Sequence, residues 1–199
     1  MGCWDGSGST RYAERAGATA FGIEIDATQA ALARDRGMEV AEVDLEQERF
    51  PWPDGHFDVV VANQVLEHLK NVWLPLSEMW RVLAPDGRLV LSVPNLASLH
   101  NRLLLGLGRQ PTSIRTIGPH VRGFTQREFR NLVALGDALE VIAVRGVGFY
   151  PLPITIARLA ARVWPGASHT TVVLARRGQG TPVWRERTSA AAGQTHWAE

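Results

Sequence analysis

The sequence is poor in the residues that build covalent or metal cross-links. Cys3 is the only cysteine among 199 residues, which excludes a disulfide framework and a metal cluster made of several cysteines. Lys70 is the only lysine among 21 basic residues, which we interpret as codon bias rather than chemistry. The composition therefore gives no sign of a disulfide-stabilised secreted domain.

The sequence also lacks signals for membrane insertion or export. No apolar run reaches the roughly 18 residues of a membrane-spanning helix, and no signal peptide is recognisable. Gly6 stands where a myristoylation motif requires Ser or Thr. We therefore expect a soluble, cytoplasmic protein that does not bind membranes.

The chain has almost no net charge, and this limits its partners. A formal charge of +1 argues against nucleic-acid or membrane-surface binding through bulk electrostatics. With 45% hydrophobic and 21% charged residues, the composition is that of one ordinary globular domain. We expect that domain to span residues 1–177 and residues 178–199, which lack periodicity, to form a disordered tail.

The first stretch of the chain contains a nucleotide-binding pattern. A loop of small residues from Gly2 leads into a predicted helix over 10–16, and a predicted strand over 18–25 carries Glu24 near its end. Glycines allow the backbone to approach a ligand, and a helix N-terminus offers free N–H groups. An acid at the tip of the next strand can accept hydrogen bonds from ribose hydroxyls. The order of loop, helix, strand and acid predicts a dinucleotide-type βαβ unit.

Strands and helices alternate through most of the remaining chain. Further strands are predicted at 38–43, 57–62, 88–93, 139–147 and 170–175. The strand at 57–62 is a continuous apolar run, as expected of a parallel strand buried on both faces. Asp26 opens a helix with a capping box, and Thr125 opens another. This alternation predicts one α/β, doubly wound, mostly parallel sheet with a final antiparallel strand.

The motifs and their order resemble class I S-adenosylmethionine (SAM)-dependent methyltransferases of the small-molecule branch. The segments that carry the resemblance include Gly-Cys-Trp-Asp-Gly at 2–6, Gly-Ile-Glu-Ile-Asp at 22–26, Asp-Leu at 44–45, Phe-Asp-Val-Val at 57–60, Val-Leu-Glu-His at 65–68, Arg-Val-Leu-Ala-Pro-Asp-Gly at 81–87 and Ser-Val-Pro-Asn at 92–95. A narrower likeness is to the methionine-biosynthesis W family. The resemblance covers roughly residues 1–177 and implies a Rossmann-like sheet with SAM as cofactor.

Two departures from the family pattern concern the first motif. Trp4 replaces the middle glycine, and the strand and acid that precede the first glycine in the family would lie before Met1. We therefore expect a sheet whose first strand is missing from this chain. We also expect weak SAM affinity and marginal stability unless an upstream segment or a partner supplies that strand.

The resemblance implies roles for individual residues. Glu24 would bind the ribose and Asp44 the adenine amino group, while His68 is the candidate general base. No metal site is predicted, because no second histidine follows His68 at helical spacing. His120 is a candidate for the acceptor pocket. The full set assigned to cofactor binding is Gly2, Cys3, Gly6, Glu24, Ile25, Asp44, Leu45, Asn63 and Gln64.

These residues favour methyl transfer to a small molecule, with two alternatives left open. A nicotinamide-dependent oxidoreductase would share the glycine loop and Glu24, but it would not predict Asp44-Leu45 or Val-Leu-Glu-His. A non-catalytic methyltransferase-like subunit would bind SAM weakly and co-purify with another enzyme. A protein partner or a homodimer therefore also stays open, as does the identity of the acceptor.

Overall fold

The computed structural model describes residues 1–184, which divide into two compact units, 1–52 and 53 onward. The first unit consists of α1 (Ser7–Ala16), β1 (Phe21–Ile23), α2 (Ala27–Asp35) and β2 (Glu39–Ala41). Strands β1 and β2 pair in parallel, with Ile23 opposite Ala41. A small core of Cys3, Ala30, Ala33, Met38 and Val40 lies within this unit.

The second unit is built on a four-stranded sheet in the order β3–β4–β6–β5. Its strands are β3 (Phe57–Asn63), β4 (Leu83–Pro94), β5 (Leu139–Val147) and β6 (Thr170–Arg177). Its helices are α3 (Trp73–Val82), α4 (Leu99–Gly106), α5 (Gln126–Val133) and α6 (Ile154–Val163), with short 3-10 helices at Leu66–His68, Leu135–Asp137 and Pro165–Ala167.

Strand direction confirms the predicted α/β class. Strands β3 and β4 are parallel, whereas β6 runs antiparallel to both β4 and β5. Within this sheet, β3, β4 and β5 thus share one direction, and the last strand alone opposes them. The prediction of a final antiparallel strand is therefore confirmed.

The strands nevertheless form two sheets rather than the single sheet that we predicted. Among the described residues, β1 pairs only with β2, and β3 pairs only with β4. One edge of β1 and one edge of β3 consequently have no strand beside them in the part of the chain described. The expectation that the family's first strand, which would precede Gly2, is missing from the sheet of this chain stays a prediction.

Strand β3 also differs from the prediction that both of its faces are buried. Val60 and Ala62 are buried, but Val59, which precedes them in the strand, is 55% exposed. Because side chains alternate between faces, one face of β3 packs on the core and the other stays accessible. An apolar run alone does not distinguish this arrangement from a strand covered on both faces.

The local signals for helix boundaries are confirmed. The Asp26 side chain accepts a hydrogen bond from Gln29 N at 3.0 Å, and Thr125 Oγ1 accepts one from Glu128 N at 3.2 Å. Capping is therefore predictable from sequence, because it depends on neighbouring residues.

The predicted turn at Pro85–Gly87 lies inside β4 as a bulge. The register between β3 and β4 shifts there, between Phe57 and Val59 of β3.

The chain beyond β6 contacts the second unit up to residue 184. Trp184 is fully buried, and its indole Nε1 donates to Leu132 O at 3.1 Å. Gly178 N and Gly180 N donate to the carbonyls of Ala138 and Asp137. The disordered tail expected for residues 178–199 stays a prediction, and the greater part of it lies outside the described residues. Across the described residues, no helix has the length and apolar character needed to cross a membrane.

Candidate functional site

The glycine loop lies against the carboxyl end of β1. Cys3 N donates to Ile23 O at 3.0 Å, and Gly6 N donates to Cys3 O at 2.9 Å. Gly2, Trp4 and Gly6 have φ values of 56°, 51° and 78°. Three left-handed residues in five bend the chain tightly, and only Trp4 among them carries a side chain. Trp4 is 61% exposed, so its indole meets no crowding from the core.

Glu24 connects this loop to the end of β1. Its Oε2 accepts from Trp4 N at 2.9 Å and its Oε1 accepts from Asp26 N at 3.1 Å. The residue is only 7% exposed, but each carboxylate oxygen has a second lone pair. Glu24 therefore holds the loop in shape and retains capacity to accept hydrogen bonds from a ligand. Ile25, which follows it, is 66% exposed.

Asp44 lies just beyond β2 and organises the turn that follows. Its Oδ1 accepts from Glu46 N at 2.8 Å, and its Oδ2 accepts from Gln47 Nε2 at 2.7 Å. Asp44 N in turn donates to Glu48 Oε2. Both Asp44 and Leu45 are half-buried. The Asp44 carboxylate is thus pre-oriented, with lone pairs left for one further donor.

These groups share one edge of the two-stranded sheet. Glu24 directly follows β1, Asp44 follows β2, and the parallel pairing places both carboxyl ends at the same edge. The backbone bond from Glu24 N to Ala41 O at 3.1 Å extends the pairing to that edge. A glycine loop and two acids at the carboxyl ends of neighbouring parallel strands fit a nucleoside, whose hydroxyls and amino group are donors.

Cys3 belongs to the packing under the loop. Its side chain is 8% exposed, and a Cβ on Gly22 would meet the sulfur at 2.6 Å. Burial raises the pKa of the Cys3 thiol, which keeps it protonated. A protonated, buried thiol is a poor nucleophile, so Cys3 contributes its backbone and volume rather than covalent chemistry.

In the second unit, Asn63 ends β3 and Gln64 follows it, and both contact the end of β4. Ser92 Oγ donates to Asn63 Oδ1, and Gln64 N donates to Ser92 O at 3.0 Å. Gln64 has a φ of 57°, a left-handed conformation that is uncommon for a residue with a side chain. Such conformations concentrate at functional sites, where surrounding contacts maintain them.

His68 meets His120, which the sequence places far away. Their ring centroids are 4.7 Å apart in an edge-to-face arrangement. His68 Nδ1 donates to Pro119 O at 3.2 Å, and His120 Nδ1 donates to Ser113 O at 2.9 Å. Each ring therefore keeps its Nε2 lone pair as the acceptor.

Glu67 is the residue of this region that sequence reasoning did not single out. It is 1% exposed, and within residues 1–184 neither carboxylate oxygen has a hydrogen-bond partner on another residue. Burial raises its pKa, while its own backbone N–H and His120 oppose the rise. An acid inside an apolar Val-Leu-Glu-His-Leu segment gives no sequence signal of burial, because periodicity does not report tertiary contacts.

A pocket of about 260 Å³ adjoins His120 in the second unit. The residues that line it are Thr112, Arg115, Ile117, Gly118, Pro119 and His120. The placement of His120 on a pocket wall agrees with the hypothesis that it lines an acceptor site. That role itself stays a prediction.

Comparison with protein families locates a methyltransferase domain at residues 1–91. Over 110 residues the chain is 34% identical to 27-O-demethylrifamycin SV methyltransferase from Amycolatopsis mediterranei, covering 50% of this chain and 40% of the relative. Over 83 residues it is 37% identical to demethylmenaquinone methyltransferase from Thermus thermophilus, covering 39% and 38%. The chain thus spans less than half the length of these curated relatives.

Among solved structures, the chain is similar to the cyclase SpnF, with a TM-score of 0.62 and 20% identity. The match covers 90% of this chain and 74% of that one. At this identity the similarity concerns the fold alone. A cyclase on the same fold also means that architecture does not select the reaction, which has to be argued from the residues.

Proposed function

We propose that this chain, which belongs to the class I SAM-dependent methyltransferases, transfers a methyl group from SAM to a small-molecule acceptor. The observation that carries the proposal is the shared edge of β1 and β2, where the glycine loop, Glu24 and Asp44 come together. The curated relatives named above are methyltransferases, which supports the same reaction.

The residues of the first unit would hold the nucleoside part of the cofactor. In this proposal Glu24 accepts hydrogen bonds from the ribose hydroxyls, and Asp44 accepts one from the adenine amino group. Gly2, Cys3 and Gly6 provide backbone that a ligand can approach closely, since two of these three are glycines. Ile25 and Leu45 would supply apolar contact to the base. SAM itself supplies an activated methyl group on a sulfonium.

Methyl transfer is an in-line displacement, so positioning of acceptor and methyl provides much of the acceleration. An oxygen or nitrogen acceptor can still require a base that removes its proton. His68 is our proposed base, since its Nδ1–H is engaged with Pro119 O and its Nε2 is left as an acceptor. Asn63 and Gln64 remain proposed contacts of the cofactor. Cytoplasmic localisation and a protein partner also stay predictions.

Titration calorimetry with SAM, S-adenosylhomocysteine and NAD tests the proposal. We expect one-to-one binding of the two adenosyl ligands and no heat with NAD. NAD binding without SAM binding would instead favour a nicotinamide oxidoreductase. Absence of binding by either ligand, together with co-purification of another enzyme, would favour a non-catalytic subunit.

The transfer step needs a separate measurement. Protein that binds SAM is incubated with methyl-labelled SAM and a panel of hydroxylated aromatic and quinol acceptors, and labelled product is separated from cofactor. Label in a product shows transfer, and His68→Gln should then lower the rate constant more than it changes SAM affinity. An equal rate in the variant would remove His68 from the mechanism.

A further inference from the structure

We propose that Glu67, His68 and His120 form a binding site for a divalent transition-metal ion, of which Zn²⁺ is the best-suited candidate. One potential ligand atom from each of the three side chains lies within 4.8 Å of the other two. No motif in the sequence connects the three residues, and none of them is among the first-unit residues proposed to bind SAM.

Backbone hydrogen bonds hold the two contributing segments together. Glu67 and His68 belong to the 3-10 helix Leu66–His68, directly after β3. Glu67 O accepts from Val121 N at 2.9 Å and from Arg122 N at 3.1 Å. Arg122 Nε also donates to Leu69 O at 3.0 Å. His120 is consequently fixed beside the helix by the residues that follow it, and the cluster does not depend on flexible side chains alone.

The two imidazoles have the hydrogen bonding that metal-ligating histidines show. A ligating histidine usually donates its other ring N–H to a carbonyl or carboxylate, which fixes the tautomer and the ring orientation. His68 Nδ1 donates to Pro119 O, and His120 Nδ1 donates to Ser113 O. In the tautomer that these bonds select, each neutral ring carries on Nε2 the lone pair that a cation requires.

Glu67 provides the second, independent observation. Its carboxylate is almost completely buried, and in the described part of the chain no other residue donates a hydrogen bond to either oxygen. A buried ionised carboxylate is costly unless it is paired or coordinates a metal. A divalent cation bound by Glu67 would compensate that charge.

The distances and the donor set select the class of ion. Zinc binds His nitrogen and carboxylate oxygen at about 2.0–2.2 Å, so two ligand atoms of a tetrahedral site lie about 3.4 Å apart. Atoms within 4.8 Å of one another have to close by up to about 1.4 Å to reach that spacing, which side-chain rotation can supply. Two imidazoles and one carboxylate match the three protein ligands of open zinc sites, and all-oxygen ions such as Mg²⁺ fit them poorly.

The surroundings leave a coordination position accessible. His68 is exposed and His120 is half-buried, and the latter lines the pocket of about 260 Å³. A ligand oxygen could therefore reach the ion from the pocket side. Metal binding would occupy the same Nε2 lone pair that His68 needs as a base, so the ion and the base role exclude each other at any moment.

Zinc titration of the full chain tests the proposal. Protein treated with a chelator and then desalted is titrated with Zn²⁺ in competition with a chromophoric chelator. We expect one ion per chain with a dissociation constant in the micromolar range or below. His120→Ala and Glu67→Gln should each weaken binding by at least about tenfold, since even loss of a ligand's hydrogen-bond partner typically costs 10–100-fold.

His169→Gln is the matched control. His169 is an exposed histidine that stacks on His100, with ring centroids 5.5 Å apart. These two residues form a second pair of neighbouring histidines in the second unit. Zinc affinity should be unchanged in this variant. Affinity lost in His169→Gln but kept in His120→Ala would assign binding to the other pair and overturn the proposal, as would failure of the full chain to bind Zn²⁺.

Two further readouts separate a lost site from a lost fold. Zinc should raise the melting temperature of the unmodified chain and of His169→Gln, but not of His120→Ala or Glu67→Gln. Circular dichroism of the zinc-free variants establishes whether they are folded. Co²⁺ should give the visible absorption of a four- or five-coordinate site without a sulfur charge-transfer band, and such a band would implicate Cys3 and contradict the proposed ligand set. All of these measurements are made without SAM, so their failure would leave the proposed methyl transfer untouched.

Discussion

At the residue scale, Glu24 has two roles that depend on the same carboxylate. Its carboxylate accepts from Trp4 N and Asp26 N, and it is our proposed acceptor for ribose hydroxyls. A carboxylate is needed for both, because an apolar side chain would leave buried N–H groups without partners. The loop geometry and the ligand affinity are therefore coupled through one side chain.

We predict that Glu24→Ala weakens SAM binding by about 1.5–3 kcal/mol, the range for a hydrogen bond to a charged group. Calorimetry measures the dissociation constant, and Glu14→Ala, an exposed acid on α1, serves as the control. An unchanged constant in Glu24→Ala would mean that the acid only shapes the loop.

Gly6 and Gly8 form a second residue-scale pair with opposite expectations. Gly6 has a φ of 78°, and an added Cβ would meet Ala33 Cβ and Met38 Sδ at 2.9 Å. Gly8 lies inside α1, and a Cβ there would meet nothing within 4 Å. The same substitution should therefore act in opposite directions only a few residues apart.

We predict that Gly6→Ala lowers the free energy of unfolding by about 1–3 kcal/mol through strain and overpacking. Gly8→Ala should raise it by about 0.5–1 kcal/mol, because alanine loses less entropy in a helix. Urea denaturation of both variants measures the difference. Equal stability of the two would contradict the close packing of the loop against α2.

At the element scale, α3 depends on a buried ion pair. Glu78 is 1% exposed. Arg81 Nε donates to both carboxylate oxygens of Glu78 at 3.0 Å, and Arg81 Nη2 donates to Glu78 Oε2 at 2.7 Å. Arg81 Nη1 also donates to Asp54 at 2.8 Å. This guanidinium therefore compensates a carboxylate that the helix has taken out of water, and it ties α3 to the turn before β3.

We predict that Arg81→Met destabilises the protein by about 3–5 kcal/mol, because Glu78 keeps its charge but loses the guanidinium. The double variant Arg81→Met with Glu78→Leu should recover most of that loss, since two apolar side chains replace the pair. Thermal denaturation of the three proteins provides the test. A double variant no more stable than Arg81→Met would show that the pair is not the cause.

At the scale of the whole molecule, the division of the strands between two sheets departs from the sequence-based expectation. Residues 178–184 return to the chain around 132–138, where Trp184 Nε1 donates to Leu132 O. A Cβ on Gly136 would meet Val183 at 2.7 Å, so the approach requires a residue without a side chain. This contact is part of the core of the second unit.

We predict that Trp184→Ala destabilises the second unit by about 3–5 kcal/mol through the cavity left by a buried aromatic residue. Trp184→Phe should cost less, because it keeps a ring and loses the hydrogen bond and part of the volume. The two melting temperatures can be compared by circular dichroism. A chain unaffected by Trp184→Ala would place residues 178–184 in the disordered tail that the sequence suggested.

The sequence by itself determined the local features and the candidate cofactor residues of the first unit. The glycine loop, the Asp26 cap and the positions of Glu24 and Asp44 at strand ends depend on neighbours in the chain, and the structure places them accordingly. Such features are readable because caps, turns and strand ends are set by short-range sterics and hydrogen bonds.

Only the tertiary structure decided what the sequence left open. It divided the strands between two sheets, exposed Val59, and buried Trp184. It also brought His120 to Glu67 and His68 through hydrogen bonds between segments far apart in the chain. The physical reason is the same in each case: burial and long-range pairing depend on which surfaces meet, and no local pattern of residue types records that.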